Sequence, residues 1–443
     1  MATKIRPGIT KQSKAAPSTT TATDQTSGSV AVVVGPRPQP LVPGSITAKV
    51  LARVWRGGEL TIVDAPPGSG KTSLVSNVVA NLATRTDMHI LVTTPTRAQC
   101  LAFARRLSLE LPIDKIFIDM KDIDPEDLPD GYLVNRHAAK APLVIVATLA
   151  KAKFIDKSNI DLLVVAEAYQ ATHALVAQAQ SGGAQVLMVG DPGQIGPVVT
   201  VDTSIWDGQK DAPHLPAPLV TKGATDIQRF SLDVTYRLGP KSASIIAPIY
   251  KFPFTSGRPS RYVVTTDGEV VGEIEAIEVE HSDEVDNLDC LATMVRRAAS
   301  FAGGSLVQGD ETNPLRAEDI ALVVSRNSQV SIVTGMSRSL GFDFTIGTAD
   351  RLQGGEWPVV IALDPMYGSN GESEHNQSIG RLCVMVSRHT SHLTWVHDDS
   401  WVEATASNDR IDRTNRKVRE SMIGKVAEVD IFDAGLWEST PNP

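Results

Sequence analysis

The chain has 443 residues, too many for one ordinary domain and enough for two or three. With 42% hydrophobic and 21% charged residues it can build sizeable cores, and no apolar run reaches the roughly 18–20 residues that a membrane span needs. The three cysteines are far apart, which excludes a disulfide framework or a Cys-x-x-Cys zinc pair. The polar start is unlike a secretion signal, so a cytoplasmic protein without a membrane partner is expected. A net charge of −9 argues at first against a polyanionic partner.

Residues 1–44 are rich in Ser, Thr, Ala and Pro and carry five basic residues against the single acid Asp24. A segment of this kind cannot bury enough surface to offset its ordering entropy, so a flexible tail is predicted. It is either an inert extension or a tether that recruits the chain, expected to be a monomer, to a larger complex.

From residue 45 onward, short β-branched apolar runs alternate with amphipathic helical patterns, which is typical of buried parallel strands. The predicted strands are Leu60–Val63, Ile90–Val92, Leu143–Val146, Leu162–Val165, Val186–Val189, Ile320–Val324, Val359–Ala362 and Leu393–Val396. The pattern predicts two doubly wound α/β domains, residues 45–233 and 234–404, joined near residues 229–234. Residues 405–443 form a C-terminal extension that begins with a basic amphipathic helix, interpreted as a solvated face.

Ala65-Pro-Pro-Gly-Ser-Gly-Lys-Thr-Ser73 follows a predicted strand and precedes a helical run, the context of a P-loop. Glycines there let backbone amides close around phosphate oxygens, and the helix N-terminus adds its dipole. Lys71 is expected to reach the β- and γ-phosphates of ATP, and the Thr72 hydroxyl to bind Mg²⁺. The candidate nucleotide-binding residues are Pro67, Gly68, Ser69, Gly70, Lys71, Thr72 and Ser73.

The second half of such a site is a hydrophobic strand that ends in Asp-Glu. Here the strand from Leu162 ends in Ala166-Glu167, so the expected magnesium carboxylate is replaced by a methyl group. Glu167 remains to orient or deprotonate the attacking water. Either Mg²⁺ is held by Thr72, phosphates and water alone, or hydrolysis is impaired. Because the other catalytic positions are intact, Ala166 is interpreted as a single replacement of an Asp.

Gly190-Asp-Pro-Gly-Gln194 follows the next predicted strand. Gln194 is thereby placed to sense the γ-phosphate and the attacking water, at the sheet edge where open α/β folds bind ligands. The Gly-Asp-Pro turn alone is weak evidence, since it is also an ordinary type I turn.

Eight short segments follow one another between about residues 45 and 400. They are Ala65–Thr72, Thr93–Arg97, Val146–Thr148, Ala166–Gln170, Gly190–Val198, Thr235–Pro240, Thr348–Glu356 and Arg381–Arg388. In this order and spacing they resemble motif I, motif Ia, the next nucleic-acid motif, motifs II and III, the tyrosine-arginine motif, and motifs V and VI of superfamily 1 helicases. The resemblance is nearest to the branch of the nonsense-mediated-decay helicase.

The resemblance implies two RecA-like domains with ATP in the cleft between them. Arg237 and Arg388 would reach across as arginine fingers, which neutralise charge on the transferring phosphoryl group. Glu356 would contact the ribose or help couple the domains. The residues implied along a groove for single-stranded DNA or RNA, where they would contact phosphates, are Thr94, Pro95, Thr96, Thr148 and Thr348.

Two functions are predicted from these features. The first is an ATP-dependent single-strand translocase or helicase, hydrolysis-impaired in this form. The alternative, favoured by Ala166, is an ATP-gated single-strand clamp or regulatory NTPase with little turnover. Another P-loop enzyme, such as a kinase, would not explain the motifs of the second domain.

The net charge does not exclude a nucleic acid once its distribution is considered. Residues 262–290 hold ten acidic residues and no Lys or Arg, so the rest of the chain sums to −9 + 10 = +1. The acidity is interpreted as one solvated patch. The groove is therefore expected elsewhere, beside Thr148 and the basic residues of 234–261.

Overall fold

Two parallel β-sheets organise the chain in the computed structural model. The structure describes residues 36–120, 143–180, 182–221, 223–368, 374–407 and 409–424. We call residues 45–232 the first lobe and residues 233–424 the second lobe, each built on one of the two parallel sheets.

The sheet of the first lobe has seven strands within the described residues. They are β1 (Leu60–Asp64), β2 (Ile90–Thr94), β3 (Ile116–Asp119), β4 (Val144–Thr148), β5 (Leu162–Ala166), β6 (Gln185–Gly190) and β7 (Ile227–Ser231). The order is β3-β4-β2-β5-β6-β1-β7, and every pairing is parallel. All the carboxyl ends therefore meet at one edge, which is where open α/β sheets place their ligands.

Helices cover both faces of this sheet because its strands alternate apolar side chains between the two sides. The helices are α1 (Ile46–Trp55), α2 (Lys71–Arg85), α3 (Arg97–Leu107), α4 (Leu149–Ala152) and α5 (His173–Ala179). Val63, Val92 and Val164 belong to the core under α1, α2 and α3. Ile62 and Leu163 point the other way, into the core that includes α4 and α5.

The second lobe repeats the arrangement with a five-stranded parallel sheet among its described residues, in the order β12-β18-β17-β15-β16. A four-stranded antiparallel sheet, β11-β10-β13-β14, and the short pair β8-β9 accompany it. The strands are β8 (Val234–Thr235), β9 (Thr255–Ser256), β10 (Arg261–Val264), β11 (Val270–Val271), β12 (Ile274–Glu278), β13 (Ser305–Gln308), β14 (Glu311–Pro314), β15 (Ile320–Val324), β16 (Thr345–Thr348), β17 (Trp357–Leu363) and β18 (His389–His397).

Helices again pack on both faces. They are α6 (Pro240–Ile246), α7 (Leu288–Phe301), α8 (Asn327–Ser339), α9 (Glu374–Gln377), α10 (Ile379–Val386), α11 (Ser400–Ala404) and α12 (Arg410–Met422). Short 3₁₀ turns lie at Ile113–Lys115, Ala168–Gln170, Ser204–Trp206, Ala217–Leu219, Ala247–Ile249 and Ala317–Asp319. No helix in the described ranges has the length and apolarity to cross a membrane.

The predicted fold class, two RecA-like doubly wound parallel sheets, is confirmed. All eight predicted strands are present. The pattern missed β3, β7, β12 and β16 of the parallel sheets and the whole antiparallel sheet.

The tail predicted for residues 1–44 needs a correction at its end. Residues 1–35 lie outside the described residues, but the last nine residues pack on the first lobe. Leu41 contacts the core under α2, and Asn77 Nδ2 donates to the carbonyl oxygen of Gln39 at 2.9 Å. The packed part of the chain therefore starts before residue 45.

The basic C-terminal stretch has a solvated face, with Arg410, Arg413 and Lys417 exposed, but the opposite face of the helix is buried. Helix α12 packs into the second lobe, where Val418 and Met422 join its core. Arg419 is fully buried and donates from Nε and Nη2 to the two oxygens of Asp364 at 2.7 and 2.8 Å. The second lobe thus extends through α12, beyond the expected boundary at residue 404.

The acidic segment 262–290 is largely solvated, since seven of its ten carboxylates are exposed and the other three, Glu273, Glu275 and Asp286, are partly buried. It contributes β11 and β12 to the two sheets of the second lobe. Glu269 and Glu275 both pair with Arg297, and Glu273 accepts from the backbone amide of Ser242 in α6 at 3.0 Å. Several of these carboxylates therefore have structural partners within the second lobe.

Candidate functional site

The P-loop lies between β1 and α2, and its backbone is shaped by two glycines. Gly68 and Gly70 have φ angles of +71° and +87°, in the left-handed region that favours glycine. Gly70 is the N-cap of α2 and supplies no capping side chain, so the first-turn amides of α2 stay available to an anion. The Ser69 hydroxyl donates to the carbonyl oxygen of Pro66 at 2.7 Å, which tightens the loop.

Lys71, the first residue of α2, faces the loop that follows β6. Its Nζ lies 3.8 Å from Oδ2 of Asp191, whose side chain is 1% exposed. The same oxygen accepts from Gln194 Nε2 at 2.8 Å. The structure therefore brings the predicted residues Lys71 and Gln194 together, through an aspartate that the sequence interpretation had assigned only to a turn.

Glu167 follows β5 at the same edge of the sheet. Among the described residues it is the one non-glycine residue with a positive φ, 53°, a conformation that costs about 1–2 kcal/mol and is concentrated at functional sites. The turn is packed closely: a Cβ added to Gly190 would lie 2.9 Å from the amide nitrogen of Ala168. Ala166, just before it, is half-buried and offers only its methyl group.

Asp64, the last residue of β1, lies directly before the P-loop and accepts hydrogen bonds from two neighbouring elements. Arg229 of β7 donates from Nη1 to both of its oxygens at 2.9 and 2.7 Å. The Tyr169 hydroxyl donates to Oδ1 at 2.7 Å. Burial and the nearby Asp64 charge raise the pKa of Tyr169, so the hydroxyl stays protonated and donates. This network links β1, β7 and the Glu167 turn.

The second lobe contacts the P-loop directly. Tyr236 donates its backbone amide to the carbonyl oxygen of Gly68 at 2.9 Å, and the Thr235 hydroxyl donates to the carbonyl oxygen of Pro67 at 2.6 Å. A Cβ on Gly68 would stand 2.2 Å from Cβ of Arg237. The missing side chain of Gly68 is therefore what allows the second lobe to approach.

The two predicted arginine fingers lie side by side next to this contact. Arg237 Nε donates to Oε2 of Glu356 at 2.8 Å, and its Nη1 donates to the carbonyl oxygen of Ser387 at 3.3 Å. Arg388 is 1% exposed, and within the described ranges its guanidinium donates only to the carbonyls of Val384 and Gly355 and to the Ser387 hydroxyl.

Arg388 has no carboxylate within ion-pair distance in the part of the chain that the structure describes. Burial, and then the charge of Arg237, lower the pKa of Arg388 to about 10, while the charges of Asp191 and Glu167 act in the opposite sense. At neutral pH Arg388 is thus a buried cation of the second lobe that faces the acidic side chains of the first. A buried cation without an anion is costly, and an anion bound at the P-loop would compensate it.

The P-loop family implies a magnesium ion with the nucleotide, and the donor chemistry here fits a hard cation. Thr72 is exposed at the start of α2, and Glu167 and Asp191 are close enough for the charge of Glu167 to raise the pKa of Asp191. All three offer oxygen atoms, the ligands that Mg²⁺ prefers. Ala166 contributes no ligand, so Thr72 and the phosphates would be the main partners of the ion.

The five predicted groove residues are not equivalent in the structure. Thr94 and Thr148 are paired in register at the ends of β2 and β4, but the Thr94 side chain is buried and donates to the carbonyl oxygen of Thr96 at 2.9 Å. The Thr94 hydroxyl is therefore already bonded within the first lobe, and a place for Thr94 in a groove stays a prediction. Thr96 and Thr148 are N-caps of α3 and α4. Pro95 and Thr348 are partly exposed, Thr348 at the end of the edge strand β16.

Sequence reasoning missed three residues that the structure places at the site. Asp191 lies inside a motif that was recognised, so its carboxylate could have been considered. Gln353 likewise lies inside the segment Thr348–Glu356, and its Nε2 donates to Gln194 Oε1 at 3.2 Å. Tyr250 carries no local signal, because its role comes from a contact across the lobes, in which it donates to Asp191 Oδ1 at 2.9 Å.

Residues 48–204 match the family model of the AAA domain, which indicates a P-loop NTPase domain in the first lobe. No match was found among curated protein sequences.

The chain is similar to three solved helicase structures. The PRRSV helicase is 13% identical with a TM-score of 0.41, over 80% of this chain and 54% of that one. Arterivirus nonstructural protein 10 (helicase) is 15% identical with a TM-score of 0.46, over 83% and 63%. The same arterivirus protein in complex with DNA is 14% identical with a TM-score of 0.43, over 80% and 62%. This chain thus spans less than two thirds of each of these proteins.

Proposed function

We propose that this chain is a nucleic-acid-dependent ATPase of the superfamily 1 helicase type, which binds ATP between its two lobes. The observation that carries the proposal is Arg388, a buried guanidinium of the second lobe without a carboxylate partner among the described residues. It faces the P-loop side of the cleft, where the phosphates of a nucleotide would supply the missing negative charge.

Different residues of the site bind the nucleotide and act in its hydrolysis. The P-loop amides and the N-terminus of α2 bind the phosphates, and Lys71 exchanges Asp191 for the β- and γ-phosphates. Glu167 orients the attacking water, and Gln194 senses the γ-phosphate. Arg237 and Arg388 neutralise charge on the transferring phosphoryl group, an effect worth roughly 10³–10⁵ in rate in related NTPases. A bound magnesium ion would supply further charge neutralisation there.

The nucleic-acid partner is the single-stranded form of DNA or RNA, gripped alternately by the two lobes as ATP is bound and hydrolysed. Thr96 and Thr148 support this, because as N-caps they put hydroxyls and helix N-termini at the carboxyl edge of the first sheet. Backbone amides at such positions contact phosphates without reading sequence. Pro95 and Thr348 complete the proposed groove.

Ala166 favours a second candidate, an ATP-gated single-strand clamp that hardly turns over. A methyl group cannot replace the carboxylate that normally holds the metal ion, so binding could persist where hydrolysis fails. The two candidates share the nucleotide site and the groove. They differ in whether the chain turns over once a carboxylate is present at position 166.

The test compares Ala166→Asp with Ala166→Asn, which adds a side chain of similar volume without a charge. Phosphate release is measured with and without a single-stranded oligonucleotide. Stimulation of at least several-fold in Ala166→Asp alone supports the motor. Tight binding of ATP and strand with flat ATPase in Ala166→Asp supports the clamp. Lys71→Ala should abolish nucleotide binding, and an unchanged ATP affinity in that variant would overturn both candidates.

A further inference from the structure

The loop of residues 191–195, which follows β6, is held by the second lobe from several sides. The Tyr250 ring occupies the space beside Gly193, so a Cβ added there would lie 2.6 Å from its Cζ. A Cβ added to Gly380 would lie 2.7 Å from the carbonyl oxygen of Gln194. Ile195 packs against the core of the second lobe. A shift of the second lobe must therefore disturb this loop.

Asp191 is the first residue of the 191–195 loop and connects it to the P-loop. Its Oδ1 accepts from the amide of Gly193 and from the Tyr250 hydroxyl, both at 2.9 Å. Its Oδ2 accepts from Gln194 Nε2 and lies 3.8 Å from Lys71 Nζ. Of the donors to this carboxylate, Tyr250 is the one that belongs to the second lobe.

The balance of these contacts controls how strongly Asp191 attracts Lys71. The Asp191 side chain is 1% exposed, so its charge is poorly solvated and depends on its neighbours. Burial raises the pKa of Tyr250, so its hydroxyl remains a donor. A buried carboxylate that loses a hydrogen bond must rely more on its remaining partners. Here the remaining charged partner is Lys71.

We propose that Tyr250 is a positioning residue that makes Lys71 respond to the placement of the second lobe. With the second lobe seated, as in this structure, the Tyr250 hydroxyl satisfies part of the Asp191 charge, and Lys71 is only loosely paired with Asp191 at 3.8 Å. Lys71 can therefore move to the phosphates of the nucleotide. When the second lobe moves away, Asp191 loses the Tyr250 hydrogen bond and pairs more tightly with Lys71, so nucleotide binding weakens. This inference rests on the proposed ATP-binding function and adds to it a route by which the lobe arrangement sets nucleotide affinity.

The test is Tyr250→Phe, which removes one hydrogen-bond donor and keeps the ring that packs edge-on against Phe252 and Phe254. Titration with a fluorescent ATP analogue should give a dissociation constant three- to tenfold higher than in the parent chain. In the Ala166→Asp background, if it turns over, Tyr250→Phe should raise KM for ATP and leave kcat within twofold. Tyr262→Phe, at an exposed tyrosine of strand β10, is the matched control and should change neither constant.

A double-mutant cycle separates this role from packing. If Tyr250 acts through the Asp191 carboxylate, Tyr250→Phe should change the dissociation constant less than twofold in an Asp191→Asn background. The same fold-change in both backgrounds, or no change in the parent, would overturn the inference. Failure of the parent chain to bind the analogue, or binding that survives Lys71→Ala, would instead overturn the proposed function.

Discussion

The seating of the second lobe on the P-loop can be tested with two alanine substitutions that differ in one respect. Gly68 and Gly70 both have left-handed backbone angles, so alanine strains the chain at either position. At Gly70 nothing lies within 4 Å of an added Cβ, whereas at Gly68 it would lie 2.2 Å from Cβ of Arg237. The difference between Gly68→Ala and Gly70→Ala therefore reports the contact between the lobes.

The expected magnitude follows from the contacts that the collision breaks. The left-handed conformation costs about 1–2 kcal/mol for alanine in either variant. Relieving the overlap at position 68 requires a movement of more than about 1 Å, since carbon atoms prefer about 3.5–4 Å. That movement disrupts the hydrogen bonds from Tyr236 and Thr235 to the P-loop carbonyls. At about 0.5–1.5 kcal/mol each, Gly68→Ala should lose about 1–3 kcal/mol more than Gly70→Ala.

Scanning calorimetry without nucleotide measures this difference. At about 2–4 °C per kcal/mol for a lobe of this size, Gly68→Ala should melt roughly 6 °C below Gly70→Ala. Nucleotide affinity does not distinguish Gly68→Ala from Gly70→Ala, because both glycines shape the phosphate site. Equal melting temperatures for the two variants would refute the contact between the P-loop and the second lobe in solution.

Two further predictions concern the stability of the second lobe. Arg419→Met should lower the unfolding free energy of the second lobe by about 3–5 kcal/mol, because the substitution leaves Asp364 charged and buried. Urea titration measures the loss. If the double variant Asp364→Asn/Arg419→Met is no more stable than Arg419→Met, this reasoning is contradicted. Burial lowers the pKa of His392 to about 4, so the unfolded chain binds this proton more tightly and stability falls as the pH drops from about 6.5 to 4. The loss of unfolding free energy is about 2 kcal/mol at pH 5. His392→Gln should therefore make the urea midpoint less dependent on pH across this range. An unchanged pH dependence in His392→Gln would contradict the prediction.

The strands that the sequence revealed are those buried on both faces. Ile90–Thr94 and Ile320–Val324 read as continuous apolar runs because helices cover both sides of the sheet. Two edge strands lack that pattern. β7 reads Ile-Gln-Arg-Phe-Ser and is partly exposed, and β12 reads Ile-Glu-Ala-Ile-Glu within the acidic segment. The edge strand β3 reads Ile-Phe-Ile-Asp and is buried, but it is only four residues long. Their positions come from pairing with distant strands, which no local pattern contains.

The residues of the candidate site also fall into those that local sequence predicts and those that it does not. Lys71, Gln194 and Arg388 lie in short segments whose spacing follows from strand, loop and helix, and the structure brings them to one cleft. The burial of Thr94 could have been expected from the continuous run of β2, which is buried at all five positions. Tyr250 could not, because its contact with Asp191 spans 59 positions and joins two lobes.

The position of α12 has a consequence for how the chain is made. The first lobe has its last strand, β7, once residue 231 has been synthesised, but the second lobe lacks Val418, Arg419 and Met422 until α12 emerges. At about 5–20 residues per second, the interval is roughly 10–40 s. The order of synthesis thus makes the second lobe assemble on a first lobe that has already folded.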